Sequence, residues 1–251
     1  MSGQAEQWLI IGGSGGIGRS VAEEAARRGK KVAFFGRTRK KIRALRKYLQ
    51  QRSSFVAAYR IRFGSKRTLQ SLFRRLHRGP LPDVVVLSYG PFVERHFGQY
   101  GFDTWYTMTT HNLTLAGLTV ESILPRMLAR GSGTIVLLGG TDTDAVKGYT
   151  QISAYAAAKT GVSVVALSAE KAIREYERNH GPGKVKVLCV CPDYVQTEYL
   201  TTDQIDRFSR LAGTNGMKTA VEFAEKLVSL VLLSENGDNK VDDDNEVIIR
   251  L

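Results

Sequence analysis

A glycine-rich turn between an apolar run and a helical pattern most constrains what this chain can fold into. The turn reads Gly12-Gly13-Ser14-Gly15-Gly16-Ile17-Gly18, and the segment 7–12 that leads into it, apolar from Trp8 to Ile11, is typical of a buried strand. Residues 16–29 after it carry apolar side chains at helical spacing. A helix N-terminus offers free N–H groups and partial positive charge, so the turn predicts a dinucleotide-binding βα unit.

Strand-like and helix-like patterns alternate along the rest of the chain. Strands are predicted at residues 7–12, 31–36, 55–63, 83–88, 134–138, 184–191 and 246–251. Helices are predicted at residues 16–29, 40–51, 65–78, 102–129, 151–178 and 220–233. This order predicts an α/β fold, a single Rossmann-type doubly wound domain over residues 1–251 with a seven-stranded parallel sheet and helices on both faces. We expect a cofactor half at about 1–130 and a catalytic half at about 131–251.

Composition and cysteine spacing indicate the cellular compartment in which this protein is expected. No apolar run approaches the ~20 residues of a membrane helix, and the short polar start leaves no room for a targeting peptide. Cys189 and Cys191 lie two apart in a predicted strand, a poor arrangement for a disulfide, and no histidine clusters near them. We therefore expect a reduced, cytoplasmic protein with no metal site and no membrane span.

Charge is distributed very unevenly along the chain. The formal net charge is +12, but residues 1–80 hold 20 Lys and Arg against 3 Asp and Glu, whereas the remainder holds 16 against 21. An acidic partner and a merely solvated basic surface are equally compatible with this pattern. A nucleic-acid partner ranks last, because the chain has no recognisable DNA- or RNA-binding motif.

Tyr155 and Lys159 form the second chemical signal. They lie four residues apart in a predicted helix, so both side chains project from one face. A phenol has a pKa near ~10, and a neighbouring ammonium favours its ionised form. We expect Lys159 to lower the pKa of Tyr155 and make it a proton donor and acceptor near neutral pH.

The end of the second predicted strand bears on which cofactor is used. The strand ends in Phe35-Gly36-Arg37 and continues as Thr38-Arg39-Lys40-Lys41, without the acidic residue that would bind a ribose 2′-hydroxyl. Basic side chains suit a 2′-phosphate instead. The sequence thus predicts NADP(H), with Arg37 as the main phosphate contact.

With these residues in view, the chain resembles the short-chain dehydrogenase/reductase superfamily over essentially its whole length. Asn112 matches the family's active-site asparagine, and residues 192–197 resemble its segment after the sixth strand. The resemblance implies catalytic roles for Tyr155, Lys159, Asn112 and a hydroxyl residue. The residues expected to bind the cofactor are Gly12, Ser14, Gly16, Ile17, Gly18, Arg37, Tyr89, Gly90, Tyr155, Lys159, Pro192, Val195 and Thr197.

The position of the family's catalytic serine is the main departure. Counting 13 residues back from Tyr155, as the family's spacing implies, gives Asp142, whereas aligning the fifth strand gives Gly140. Thr141, between them, is our preferred hydroxyl donor, with Thr143 as the alternative. Of the family's Asn-Asn-Ala-Gly, the chain keeps only the glycine in Leu87-Ser88-Tyr89-Gly90.

The resemblance implies an NADPH-dependent oxidoreductase that reduces a ketone of carbonyl or 3-oxoacyl type, small or carrier-bound. Tyr155 would be the general acid, and Lys159 would hold the nicotinamide ribose. Asn112 would hold a water, and Thr141 would donate a hydrogen bond to the substrate's carbonyl oxygen. A homodimer or homotetramer is expected. The altered segments leave a second interpretation open, a catalytically weak dinucleotide-binding regulator or sensor. Substrate choice should depend on residues 198–218, predicted to be a mobile lid with Tyr199, Leu200, Phe208 and Leu211 over an apolar pocket.

Thr141→Val should lower turnover by ~10²–10³-fold, the typical loss when one hydrogen-bond donor to a reacting oxygen is removed. Thr143→Val, two residues further along, should leave turnover unchanged. Steady-state kinetics of both variants measures this. If only Thr143→Val loses turnover, the alignment with the family's catalytic serine is off by two residues. If both variants turn over normally, a backbone N–H or a water is the hydrogen-bond donor to the carbonyl oxygen.

Overall fold

The computed structural model describes residues 6–62, 65–140, 150–213, 216–236 and 247–251 of the chain. Its strands are β1 (Gln7–Ile11), β2 (Lys31–Gly36), β3 (Phe55–Arg60), β4 (Val84–Leu87), β5 (Ser132–Leu138), β6 (Lys184–Cys191), β7 (Val195–Gln196), β8 (Lys218–Thr219) and β9 (Ile248–Arg250). Its α-helices are α1 (Gly16–Arg27), α2 (Arg39–Gln51), α3 (Lys66–Arg78), α4 (Phe102–Met108), α5 (Leu115–Arg130), α6 (Ser153–His180), α7 (Thr202–Ala212) and α8 (Ala220–Asn236). The described residues also contain a π-helix, Thr109–Thr114, and a 3-10 turn, Thr150–Ile152.

Seven strands form one parallel sheet in the order β3-β2-β1-β4-β5-β6-β9. The chain runs outward from β1 to β3, then crosses back to β4 beside β1. This reversal opens a crevice beyond the carboxyl ends of β1 and β4, the usual ligand position in doubly wound sheets. The predicted α/β fold, a single Rossmann-type domain with a seven-stranded parallel sheet, is confirmed.

Two apolar layers enclose the sheet. Helices α1, α2 and α8 cover one face, where Trp8, Phe34 and Phe223 are fully buried. Helices α3, α5 and α6 cover the other face around Leu115, Ile123 and similar side chains. The four residues of β4 are all buried because helices cover both faces of the sheet there. No helix in the described ranges has the length and apolarity to cross a bilayer.

The predicted helix at residues 102–129 is wrong in one respect, since the π-helix Thr109–Thr114 interrupts it. Thr109 Oγ1 donates to the carbonyls of Trp105 at 2.8 Å and Tyr106 at 3.2 Å, and Asn112 Nδ2 donates to Met108 O at 3.1 Å. Such bonds to the preceding turn compete with regular helical pairing. The remaining predicted elements end within three residues of the observed bounds.

The segment predicted as a lid contains regular structure that the sequence prediction missed. Helix α7 begins after Thr201, whose hydroxyl accepts from Gln204 N while the Gln204 side chain accepts from Thr201 N. This reciprocal capping box ends the preceding loop at a defined point. The short strands β7 and β8 pair with each other and anchor the two ends of the segment.

Candidate active site

A cleft of about 450 Å³ opens beyond the carboxyl ends of β1 and β4. The glycine turn forms one end, and Tyr155 on α6 lies at the other. Ten of the residues predicted to bind the cofactor line it, namely Gly12, Gly16, Ile17, Arg37, Tyr89, Gly90, Tyr155, Pro192, Val195 and Thr197. The fold therefore brings together side chains that are scattered along most of the sequence.

Ser14, Gly18 and Lys159, also predicted to bind the cofactor, are not among the residues that line the cleft. Ser14 is buried against Gly36, where an added Cβ would lie 2.3 Å from Ser14 Oγ. A Cβ on Gly18 would lie 2.2 Å from Ser88 Oγ and 2.6 Å from Gly12 O. Ser14 and Gly18 thus pack the turn and α1 closely against the sheet, and their contact with a cofactor stays a prediction.

Arg37 lies at the edge of the cleft with an exposed side chain. Its carbonyl oxygen accepts from Arg60 Nε at 3.3 Å, at the end of β3, which pairs with β2 here. Arg62 follows two residues later and borders an adjacent shallow pocket with Arg60. No Asp or Glu occurs between Glu24 and Asp83 in the sequence, so this rim is rich in positive charge.

Asn112 lies on the π-helix and is almost fully buried. Its Nδ2 donates to Pro91 O at 3.1 Å and to Met108 O, whereas Oδ1 has no hydrogen-bond partner among the described residues. A Cβ on Gly90 would lie 2.2 Å from Asn112 Oδ1 and 3.3 Å from Lys159 Nζ. An amide acceptor and an ammonium therefore approach the same space beside Gly90, where a ligand or water would satisfy the acceptor.

Lys159 is buried, and its Nζ donates to Leu138 O at 2.8 Å, at the end of β5. Burial lowers the pKa of this lysine to about 8, although the neighbouring Cys189 and Cys191 thiols act in the opposite direction. Gly140 allows the approach, because a Cβ there would lie 2.4 Å from Lys159 Cβ.

Tyr155 lies beneath aromatic side chains. Phe92 packs against its ring edge to face, with ring centres 5.0 Å apart, and Phe208 of α7 packs against Phe92 at 5.9 Å. Burial raises the pKa of Tyr155 to about 12, with a smaller contribution from Cys191. The expectation that Lys159 lowers this pKa is wrong here: Nζ is 5.7 Å from the ring centre and bonds to a carbonyl instead.

The family described as short chain dehydrogenase matches residues 6–207. The chain belongs to this family. An uncharacterized oxidoreductase of Myxococcus xanthus is 28% identical over 197 residues, covering 78% of this chain and 74% of that protein. Another, from Staphylococcus epidermidis, is 26% identical over 176 residues, covering 64% of this chain and 75% of that protein. Both are described as oxidoreductases, in agreement with the family.

Solved structures share the fold of this short-chain dehydrogenase at low sequence identity. A short-chain dehydrogenase from Sphingobium yanoikuyae in complex with NADPH gives a TM-score of 0.77 at 19% identity, covering 98% of this chain and 87% of that one. A putative NAD(P)-dependent gluconate 5-dehydrogenase from Beutenbergia cavernae, with bound NADP, gives 0.80 at 20% identity, covering 98% and 94%. At such identities the likeness establishes the fold alone.

Several residues that shape the site were missed in the sequence. Phe92 and Tyr194 join Phe208 in the aromatic wall, and Lys41 and Glu198 meet over the glycine turn. Only the capping pattern Thr201-x-x-Gln204 could have revealed where the lid becomes helical. Of the lid residues, Tyr199, Leu200 and Phe208 line the cleft, whereas Leu211 does not and is 41% exposed.

Thr141, Asp142 and Thr143 lie outside the described residues, so the hydroxyl donor stays a prediction. Gly140, the other position that the family spacing suggested, lines the cleft beside Lys159. Among the described residues, no three His, Cys, Asp or Glu side chains converge to hold a metal.

The buried Lys159 should make the stability of the cofactor-free protein depend on pH. Its pKa is about 8 in the fold and ~10.4 in an unfolded chain. Between these values the unfolded state binds more protons, so the burial penalty is present below pH 8 and fades as pH rises. The free energy of unfolding should rise by roughly 2–3 kcal/mol from pH 8 to 10 through this group. Tyr155, with its raised pKa, opposes this only above pH ~10.

Urea unfolding of wild type and Lys159→Met at several pH values measures this contribution as a difference in slope. Lys47→Met, which removes an exposed lysine from α2, is the control and should keep the wild-type slope. Equal pH dependence in wild type and Lys159→Met would contradict a depressed lysine pKa.

Proposed function

We propose that this short-chain dehydrogenase is an NADPH-dependent reductase that converts a ketone into an alcohol, with Tyr155 as the proton donor. The observation that carries the proposal is a cleft that is lined both by the N-terminus of α1 and by Tyr155. A dinucleotide bound by its phosphates at α1 can extend toward Tyr155 within this space.

The residues around the cleft fit a nicotinamide dinucleotide. Gly12 and Gly16 present bare backbone at the start of α1, where a pyrophosphate is favoured by N–H groups and the helix dipole. Pro192, Val195 and Thr197, which follow β6, also line the cleft and would hold the nicotinamide end. Lys159 would hold the nicotinamide ribose.

The chemistry divides between cofactor and protein. When bound, the reduced nicotinamide supplies the hydride. Tyr155 Oη donates the proton to the developing alkoxide, and its raised pKa keeps that proton in place at neutral pH. Asn112 Oδ1, a buried acceptor without a protein partner among the described residues, would hold a water near Lys159 Nζ and so connect the lysine to solvent.

The walls near Tyr155 favour an apolar substrate. Ile152, Phe92, Phe208, Leu200 and Met217 surround the tyrosine end of the cleft. These side chains exclude water from the reacting carbonyl and offer no charge to a substrate. We therefore favour a ketone flanked by apolar groups, either free or carried on a larger molecule.

The preference for NADPH over NADH rests on the basic rim. Arg37 lines the cleft where an acidic residue would otherwise meet the ribose 2′-hydroxyl, and Arg60 lies beside it. Solved structures of the same fold contain NADPH or NADP, which supports the same assignment.

A dinucleotide-binding sensor is the second candidate. The observation that favours it is the aromatic cover over Tyr155, since Phe92 packs against the Tyr155 ring and Phe208 packs against Phe92, beside the phenol that a substrate carbonyl must reach. Absorbance assays of NADPH oxidation against a panel of ketones separate the two. Tight NADPH binding with no oxidation of NADPH by any ketone would favour the sensor.

Tyr155→Phe should lower turnover of the best ketone in that panel by ~10²–10⁴-fold, the range for loss of a general acid. NADPH affinity should change little, because the phenyl ring can keep its edge-to-face contact with Phe92. Steady-state kinetics and isothermal titration measure the two quantities. Tyr194→Phe is the matched control, since this tyrosine also lines the cleft, and it should keep turnover. Wild-type turnover in Tyr155→Phe would remove this tyrosine from the mechanism.

Arg37→Ala should weaken NADPH binding by ~10–100-fold, because a bidentate guanidinium–phosphate contact contributes roughly 1.5–3 kcal/mol. NADH affinity should stay nearly constant. The control is Arg78→Ala, which removes an equal charge from the last turn of α3. Titrations with both nucleotides measure the ratio, and equal affinity of wild type for NADH and NADPH would contradict the assignment.

A further inference from the structure

A carboxylate of the chain occupies the N-terminus of α1. Glu198 follows Thr197 in the segment that joins β6 to α7, and both of its oxygens accept from the backbone N–H of Gly16, at 3.1 and 3.2 Å. Gly16 is the first residue of α1, where the helix dipole and unpaired N–H groups favour a negative charge. This is the position that the proposed function gives to the cofactor's pyrophosphate.

Lys41 of α2 holds the carboxylate in place. Its Nζ lies 2.8 Å from Glu198 Oε1 and 3.1 Å from the Tyr199 hydroxyl, and 4.4 Å from the centre of the Tyr199 ring. Burial disfavours the charged form of Glu198, yet the bonds from Lys41 and Gly16 N outweigh it and hold the pKa of the carboxyl below its usual value. Glu198 is therefore an anion at neutral pH.

Tyr199 covers the rest of the turn. A Cβ added to Gly15 would lie 2.0 Å from the Tyr199 hydroxyl and 3.2 Å from Glu198 Oε1, and one added to Gly16 would lie 3.1 Å from Tyr199 Cε2. Consecutive side chains of the lid thus fill the space directly above the glycine turn. A ligand that approaches this backbone must move them.

The same segment is bound at its other end. Glu94, in the loop after β4, accepts from Gln204 Nε2 at 2.5 Å and from Arg207 Nη2 at 3.1 Å, both on α7. Phe208, one residue further, belongs to the wall over Tyr155. The contact at Gly16 and the cover over Tyr155 are therefore joined through one short helix.

We propose that Glu198 is an internal competitor for the cofactor's pyrophosphate. The proposal rests on the proposed dinucleotide binding and names what that binding must displace. As the pyrophosphate takes the N–H of Gly16, Glu198 leaves, and Lys41 exchanges its carboxylate partner for a cofactor phosphate.

The test is isothermal titration of NADPH into wild type, Glu198→Gln and Asp203→Asn. Glu198→Gln keeps the size of the side chain and removes its charge, so NADPH should bind about 5- to 30-fold more tightly than to wild type. Asp203 is exposed on the first turn of α7, so Asp203→Asn makes the same change in net charge away from the turn and should bind like wild type. Glu198→Ala, which cannot accept from Gly16 N, should bind at least as tightly as Glu198→Gln.

A second ligand separates competition at the turn from a general gain in positive charge. Adenosine 2′-monophosphate carries the adenine and the 2′-phosphate but no pyrophosphate. Its affinity should be equal in wild type and Glu198→Gln. Equal gains for this ligand and NADPH would overturn the proposal.

Lys41→Met tests the exchange of partners. In the Glu198→Gln background Lys41 has no carboxylate to hold, so Lys41→Met should weaken NADPH by about 5- to 20-fold through loss of the phosphate contact alone. In the wild-type background the loss of NADPH affinity should be smaller, because Lys41→Met also weakens the hold on Glu198. Equal losses of affinity in the two backgrounds would show that Lys41 does not exchange Glu198 for a cofactor phosphate.

The outcomes distinguish this proposal from the function it rests on. If wild type binds NADPH and Glu198→Gln binds it no more tightly, the proposal that Glu198 competes with the pyrophosphate is wrong, but the proposed reductase function is unaffected. If neither protein binds NADPH or NADH, both the competition and the reductase function are wrong. A structure with NADPH bound in which Glu198 still accepts from Gly16 N would overturn the competitor alone.

Discussion

The backbone of Gly12 lies so close to Tyr89 that a side chain at Gly12 would overlap it. A Cβ there would be 2.7 Å from Tyr89 N, and the φ of +96° is one that glycine adopts easily. This approach joins the ends of β1 and β4 at the point where the strand order reverses. The crevice of the sheet and the bare backbone for phosphates therefore coincide. Gly18 and Gly90 extend the same principle, because each lets a helix or an amide come close to the sheet edge.

Burial governs the electrostatics at the opposite end of the cleft. Tyr155 and Lys159 lie on one helix face as their spacing predicts, yet burial acts on them in opposite directions, raising the pKa of the phenol and lowering that of the ammonium. The lysine gives its hydrogen bond to Leu138 O, and aromatic rings cover the tyrosine. Burial therefore keeps Tyr155 neutral at pH 7, whereas Lys159, with a pKa of about 8, loses its proton more easily than an exposed lysine but is still mainly charged there. Opening of the aromatic cover would reduce the cost of charging either group.

Much of the architecture follows from local patterns. The alternation of apolar runs and helical patterns predicts the sheet and its covering helices because each segment buries one face or stripe. The glycine turn and the Tyr155–Lys159 spacing depend on neighbours within a few residues, so they too can be predicted. The two errors in the predicted helices also arise from interactions between residues that are close in sequence. Thr109 and Asn112 side chains bond to carbonyls of the preceding turn and produce a π-helix inside a predicted α-helix. Helix α7 was missed although its capping box is present in the sequence.

The sequence by itself determined the alternation of the main strands and helices and the two motifs at the ends of the cleft, because these are encoded by short-range periodicity and spacing. The resemblance of those motifs to the short-chain dehydrogenases then indicated the family. Only the tertiary structure decided what surrounds those motifs. Glu198 meets Gly16 across 182 positions, Lys41 reaches Glu198 across 157, and Glu94 holds α7 across 113. No local pattern specifies such pairs. They arise because parallel strands deliver distant segments to one edge of the sheet, where opposite charges and aromatic rings then select their partners.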